Sequence, residues 1–370
     1  MNTITVELAA NAYPVYLGRE LLGEASAWKR HLGQGKVLVV SNDTVAPLYL
    51  EKLKSALVGH PFELHIIPDG EQFKTVETWY GIIDKLVSMQ ARRDASLIAL
   101  GGGVVGDITG FAAASYMRGV RFLQAPTTLL AQVDASVGGK TGFNHAQGKN
   151  LIGAFHQPSA VFIDVDTLDT LAAREFNAGL AEVVKYGAIN DATFFDWLEQ
   201  EAGAIAARDP EALEYLIRRS VLNKAEIVAQ DEKEAGVRAL LNFGHSFGHA
   251  LEAETAYRQF LHGEAVAIGM VVAAGLSESR GLCAPGLAAR LATLLQHYGL
   301  PIRIPANISI DGLSKALALD KKAVASGLRL VLLDAIGQAR VDDSSSKSEI
   351  VTAMRSNRDD PTQVTQENST

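Results

Sequence analysis

The sequence predicts an α/β amino-terminal half, built on a parallel sheet covered on both faces, joined to a mainly α-helical carboxyl-terminal half. Three observations carry this. Up to about residue 165, short apolar runs alternate with helical patterns, the order that builds parallel sheets. From about Thr170, apolar residues recur instead at three- and four-residue spacing. The length of 370 residues amounts to two or three domains at ~150 residues each, enough to bury cores without disulfide or metal staples.

The amino-terminal stretch MNTITVELAANAYPVYLG alternates apolar and polar residues as a strand does, and it lacks the basic and long apolar regions of a signal peptide. KVLVV at 36–40, LHII at 64–67 and ASLIAL at 95–100 read as strands, with helical APLYLEKLKSAL and TVETWYGIIDKLVSM between them. VRFLQAP and SAVFIDV add two strand candidates. The helical spacing then runs through LAAREFNAGLAEVVKYGAI, ATFFDWLEQEAGAI and EALEYLIRRSVLNKAEIVAQ. AVAIGMVVAAGL, Ala265 to Leu276, is far shorter than the ~20 residues that span a bilayer and reads as a buried core helix. LRLVLLDAIGQARV at 328–341 is a small β excursion among helices. The change of pattern near residues 166–172 sets domains at 1–169 and 170–355. The stretch 356–370, whose one clearly apolar residue is Val364, is expected to be a disordered tail.

Lysine and arginine number 34 against 42 aspartates and glutamates, and the net charge of −8 disfavours nucleic acid and anionic membranes as partners. It leaves room for a local cationic pocket. The single cysteine, Cys283, excludes an intrachain disulfide or a cysteine-cluster metal site, fits a reducing cytoplasm, and reads as a small buried apolar residue. Glycine, at 33 residues, is the one excess, and it clusters.

One cluster is GGGVVGD, Gly101 to Asp107, between a predicted strand and a predicted helix. Such a turn brings backbone N–H groups and a helix amino terminus close to phosphate oxygens. Its spacing departs from GxGxxG and it follows the third or fourth strand, so a tight structural turn is the competing reading. DGEQFK, Asp69 to Lys74, puts Glu71 and Lys74 after another strand, where ligands bind open α/β sheets; a solvated turn has the same composition. The 25 residues from Asp134 to Pro158 show little periodicity, and connections that long are usually functional or disordered. Asp134, Lys140, Lys149 and Asn150 lie there among glycines and, with Arg118 upstream, form a candidate anion clamp.

Three of the nine histidines fall close together: His245 and His249 in NFGHSFGH, then His262 in FLHGEA. The i, i+4 spacing puts the first two on one helix face, about 6 Å apart at their Cβ atoms. Glu182 in GLAEVVKYG is an acidic residue in an otherwise apolar helix and must be paired if buried. Two of these histidines with Glu182 would hold zinc and leave it an open position for substrate. Spacing does not say which two, and each histidine alone is as well explained as an ordinary hydrogen-bonded polar group.

GGGVVGDITGFAAASYMRGV, PTTLLAQVDASVGGKTGFNHAQGKNLIGAFHQP, GLAEVVKYG, RALLNFGHSFGHALE, LHGEAVAIGM and DKK at 320–322, in this order, closely resemble the 3-dehydroquinate synthases of the shikimate pathway. The resemblance implies a Rossmann-like NAD-binding α/β domain, a helical domain and an active site in the cleft between them. It implies conversion of 3-deoxy-D-arabino-heptulosonate 7-phosphate to 3-dehydroquinate and phosphate. The implied route is transient oxidation by NAD, phosphate elimination, reduction, ring opening and aldol closure. One divalent metal, zinc or cobalt, is implied on Glu182, His245 and His262, with His249 a non-ligand.

The NAD contacts it implies are Asp69, Gly70, Glu71, Gln72, Phe73 and Lys74; Gly103, Val104, Val105, Gly106 and Asp107; Thr127, Thr128, Lys140 and Lys149; and Thr167, Leu168, Asp169 and Thr170. The implied substrate contacts are Arg118, Asp134, Lys140, Asn150, Lys185, Lys224, Arg238, Asn242 and His249, joined by Lys321 or Lys322. A homodimer is also implied. The sequence departs from the pattern at TLAAREFN, where many relatives carry proline, and at Gly142, where alanine is common. Rival readings are another sugar phosphate cyclase making an inosose or a valiolone, a polyol dehydrogenase of related fold, and an inactive NAD-binding relative.

Overall fold

The computed structural model describes residues 1–8, 12–234, 236–323 and 328–360, with the backbone alone for 319–323. The chain forms two compact units, one from Met1–Ala172 with Pro210–Lys233, the other from Ala173–Asp209 with Glu234 onward.

The first unit carries β1 (Asn2–Val6), β2 (Tyr13–Gly18), α1 (Ala25–Lys29), β3 (Val37–Asn42), α2 (Ala46–Ala56), β4 (Phe62–Ile67), α3 (Val76–Ser88), β5 (Ser96–Gly101), α4 (Gly103–Ser115), β6 (Arg121–Pro126), β7 (Lys140–His145), β8 (Gly148–Phe155) and β9 (Ala160–Asp164). Seven strands make one sheet in the order β1-β2-β9-β6-β5-β3-β4, parallel except where β1 pairs with β2. Parallel strands are buried on both faces, which is why the sequence shows them as unbroken apolar runs. In β3, Val37 and Val39 join one core with Trp28, Tyr49, Leu53 and Phe162. Leu38 and Val40 join the other, with Ile82, Leu86, Ile108 and Phe122. The chain passes from β3 out to β4 and returns to β5 on the other side of β3, so the direction of winding reverses between β3 and β5. Ligands of open α/β sheets bind at such a reversal.

The second unit carries α5 (Ala173–Asn190), α6 (Ala192–Gln200), α7 (Ala202–Ala206), α9 (His245–Glu254), α10 (His262–Ser279), α11 (Leu287–His297), α12 (Ile310–Ala323), β10 (Leu330–Ala335), β11 (Gln338–Asp342) and α13 (Lys347–Ser356); α8 (Pro210–Gln230) falls between α7 and α9 in the chain. The predicted core helix is α10, buried along nearly its whole length and packed by α5, α9, α11, α13 and β10. The predicted β excursion is the antiparallel pair β10–β11. Among the described residues no helix is long and apolar enough to cross a membrane.

Three features differ from the sequence reading. The stretch after Asp134 is not an irregular loop: it holds the antiparallel hairpin β7–β8. Its strand pattern is masked by glycine, because a Cβ on Gly142 would lie 2.3 Å from Ile152 O and one on Gly153 2.2 Å from Thr141 O. Helix α8, which lies in the predicted helical domain, belongs to the first unit; it packs on β1, β2 and the turn Ala131–Ala135. Finally, the predicted tail begins too early. Residues 356–360 are held by backbone bonds from Ile304 N to Asn357 O (3.1 Å) and from Asp359 N to Ile304 O (2.9 Å). The remainder of that prediction, 361–370, lies outside the described residues, as do the side chains of Lys321 and Lys322.

Candidate active site

Parallel strands end on one edge, so the segments that follow β4, β5, β6 and β9 gather there. These are Asp69–Lys74, Gly103–Asp107, Thr127 with Thr128, and Thr167–Thr170. Helix α4 starts at Gly103 with no side-chain cap on its first N–H groups, the condition under which a helix amino terminus takes an anion. Asp69 accepts from Asn42 Nδ2 (2.7 Å) and Thr44 Oγ1 (2.9 Å). Asn144 Nδ2 donates to Glu71 Oε1 (2.7 Å), linking the hairpin to the segment after β4.

Lys74 is 4% exposed. Its Nζ donates to Asp107 Oδ2 (2.5 Å) and Asn150 Oδ1 (2.6 Å). Burial alone would lower its pKa, but Asp107 and Glu71 outweigh that and hold it above the ordinary value, so Lys74 stays an ammonium. Asn150 is itself strained, with φ +53°. Its N–H donates to Asn144 Oδ1 (2.9 Å). Arg118 is exposed in a run where Met117, Arg118 and Gly119 all have positive φ, 51°, 66° and 119°, a costly backbone for the two non-glycine residues.

Several predicted contacts have side chains turned into the fold. Val105 is 1% exposed, Thr127 3%, Thr167 2% and Leu168 0%. The Thr167 hydroxyl donates to Asp164 O (2.7 Å) and accepts from Gln132 Nε2 (2.9 Å). These residues would reach a ligand through their backbone, whereas Asp169 and Thr170 are exposed. Asp134 lies in a π-helical turn, Ala131–Ala135, where Lys224 Nζ donates to its backbone O (2.7 Å) and its Oδ1 (2.8 Å). Lys140 is exposed and Lys149 half-buried, both on the hairpin.

In the second unit the carboxylate and the histidines converge. A Cβ on Gly263 would sit 1.9 Å from Ala178 O, so glycine is what lets the start of α10, with His262, approach α5 one turn before Glu182. Glu182 is 1% exposed. Its Oε1 lies 3.4 Å from His245 Nε2 and 3.8 Å from His262 Nε2, and makes no hydrogen bond among the described residues. Its Oε2 pairs with Lys185 Nζ. His245 Nδ1 lies 3.2 Å from Phe243 O; donation there leaves Nε2 as the free lone pair. Burial first, then Lys185, His262 and His249, push the His245 pKa well below its ordinary value, so the imidazole is neutral.

A buried carboxylate oxygen without a hydrogen bond, facing two imidazole nitrogens, is the donor set of a divalent zinc-type ion. The predicted ligands fit one, with ligand atoms within 4.8 Å of one another. His249 is exposed, its ring 5.5 Å from that of His245 and 5.9 Å from that of His262. Arg238 is 1% exposed, and Asn242 Nδ2 donates to Glu234 Oε1 (2.8 Å). The sequence reading missed Glu234, Asn42 and Thr44, which are short polar residues with no spacing signal. It also missed Glu252, whose Oε1 lies 3.4 Å from His262 Nδ1; its position seven residues after His245, on the same helix face, was the available sign.

The fold is similar to that of a 2-epi-5-epi-valiolone synthase from Streptomyces hygroscopicus with NAD+ and Zn2+ bound, at TM-score 0.87 and 32% identity over 95% of this chain and 98% of that one. At 24% identity it shares the fold of a 2-deoxy-scyllo-inosose synthase complexed with carbaglucose-6-phosphate, NAD+ and Co2+, with TM-score 0.87 over 96% of this chain and 100% of that one. Fold and site together define the class of sugar phosphate cyclases. Residues 64–178 match the family described as 3-dehydroquinate synthase N-terminal, and 179–323 match 3-dehydroquinate synthase C-terminal. A 3-dehydroquinate synthase of Hydrogenovibrio crunogenus is 54% identical over 341 residues, 92% of this chain and 95% of that one. The chain belongs to the 3-dehydroquinate synthase family.

Proposed function

We propose that this chain is a 3-dehydroquinate synthase. It converts 3-deoxy-D-arabino-heptulosonate 7-phosphate to 3-dehydroquinate and inorganic phosphate, with NAD recycled and one zinc or cobalt ion at Glu182, His245 and His262. The observation that carries this is the family match through both units. When bound, the metal supplies Lewis acidity at the substrate's C5 oxygen and NAD a reversible hydride acceptor.

The chain's own residues bind and orient. His245, kept neutral by burial, retains its Nε2 lone pair as a ligand. Lys185 offsets the charge of Glu182; Lys185, Arg118, Asn150 and His249 are each donors suited to the substrate phosphate. Lys224 and Arg238 are each charge-assisted donors suited to the carboxylate. Lys74 holds Asn150, whose backbone φ is positive, and compensates Asp107 beside the glycine-rich helix start. The proton from C6 passes to the departing phosphate, so the chain's part in elimination is to hold that phosphate in place. A substrate with two anionic groups, a phosphate and a carboxylate, accounts for cationic groups in a protein of net charge −8.

The test supplies the heptulosonate phosphate, metal and catalytic amounts of NAD. Phosphate and dehydroquinate should appear in equal amounts without net NADH. NADH rising one for one with turnover would overturn the mechanism in favour of a polyol dehydrogenase. Turnover of a different sugar phosphate alone would favour another cyclase.

Homodimer assembly and a cytoplasmic setting belong to the same proposal. Leu151, Ile152 and Phe155 on β8 and Met117 are exposed, apolar side chains of the kind a second copy would cover. The single cysteine supports a reducing compartment. Light scattering at the monomer mass would remove the dimer from the proposal.

A further inference from the structure

Helix α9 presents His245, His249 and Glu252 at i, i+4 and i+7, one face of a helix. The first residue of α10, His262, sets its ring against that face, 5.2 Å from the ring of His245 and 5.9 Å from that of His249. The two nitrogens of His262 face two different carboxylates. Nε2 lies 3.8 Å from Glu182 Oε1 and Nδ1 lies 3.4 Å from Glu252 Oε1. Glu252 is 2% exposed, and a carboxylate so deeply placed is costly unless a partner uses its charge. Its own carbonyl also accepts from Tyr257 N (2.7 Å), which ties α9 to the turn leading into α10.

We infer that Glu252 is a positioning residue for His262: by accepting Nδ1–H it fixes the tautomer and ring angle that leave Nε2 as the lone pair facing Glu182. The inference rests on the metal-binding reading of Glu182, His245 and His262. The two histidines are then oriented by unlike partners, His245 by the backbone carbonyl of Phe243 and His262 by a carboxyl group. A carboxylate behind an imidazole makes it a better donor to a cation. The loss of Glu252 therefore weakens metal binding itself, upstream of any chemistry.

The test is Co2+ titration of the full-length metal-free protein, followed by the visible absorption of the bound ion, for the parent, E252A, E252Q and H245A. E252A should raise the Co2+ dissociation constant ~10–100-fold. E252Q keeps an acceptor for Nδ1–H without the charge and should lose less, about 3–10-fold. If E252A fails to fold, E252Q decides alone. A folded E252Q with the parent's affinity and spectrum overturns the inference. So does a second equivalent of Co2+ that the parent binds and E252Q loses, since Glu252 would then be a ligand. If H245A also binds Co2+ as the parent does, it is the metal-centre reading that fails, and the two failures are told apart.

Discussion

Replacing Lys74 with methionine keeps the apolar stem and removes Nζ, so Asp107 loses a partner at 2.5 Å and Asn150 one at 2.6 Å. Breaking a buried pair from one side costs about 3–5 kcal/mol because it strands a charge. Burial holds the Asp107 pKa above its ordinary value even with Lys74 in place, and the side chain keeps 22% exposure, so proton uptake and water relieve part of that charge and the loss falls near the lower end, about 3 kcal/mol. For a unit of this size that is a fall in Tm of about 6–12 °C. The raised pKa of Lys74 sets the pH window: the contribution is fully present below the ordinary lysine value of 10.5 and is lost as pH rises through the folded value, so neutral buffer shows all of it. Thermal denaturation followed by circular dichroism measures the shift, and calorimetry should show weaker NAD binding. The double variant K74M/D107N removes the stranded charge and should recover about half of the loss. A K74M protein melting within about 2 °C of the parent would refute the reasoning, as would a double variant no more stable than the single one.

His245→Ala should abolish turnover and leave far-UV circular dichroism unchanged, because the sheet cores lie in the other unit; full activity in a verified metal-free H245A protein would sink the metal assignment. Lys224→Ala should raise the KM for the sugar phosphate while NAD affinity holds, and equal losses of both would contradict its placement. Burial would raise the Asp342 pKa, but hydrogen bonds from Ser345, Ser344 and Arg280 hold it well below the ordinary 3.8. Its stabilisation is therefore present above that value and lost as pH falls toward the folded one, so denaturation midpoints from neutral pH to about pH 2 should fall less steeply for D342N than for the parent.

The parallel sheet was legible because burial on both faces writes itself as apolar runs such as Val37–Val40. The pair His245 and His249 was legible from spacing, but not which of them faces Glu182 beside His262; that turns on where α10 delivers His262, through the close approach at Gly263. The hairpin β7–β8 escaped because its tightest crossing is made by glycines, which carry no strand preference. Helix α8 was readable as a helix and not as part of the first unit, since an amphipathic period reports that a face is covered and not by what. Residues 357–360 lack apolar side chains, and they are tied by backbone bonds to Ile304 and side-chain bonds to Ile302 and Arg303, some fifty positions earlier, a pairing no local pattern encodes.

That return of α8 to the first unit bears on how the protein is made. The ribosome finishes the last sheet strand at Asp164, yet the helix that packs on β1 and β2 ends only at Gln230. At ~5–20 residues per second the gap lasts several seconds. Throughout it the nascent sheet is missing a wall, and the intervening residues of α5, α6 and α7 belong to a unit whose remaining helices do not yet exist. Neither unit can mature before the other has begun, so the chain cannot be divided at Ala172 into two freestanding genetic modules. Any split form must carry residues 210–233 with the first fragment.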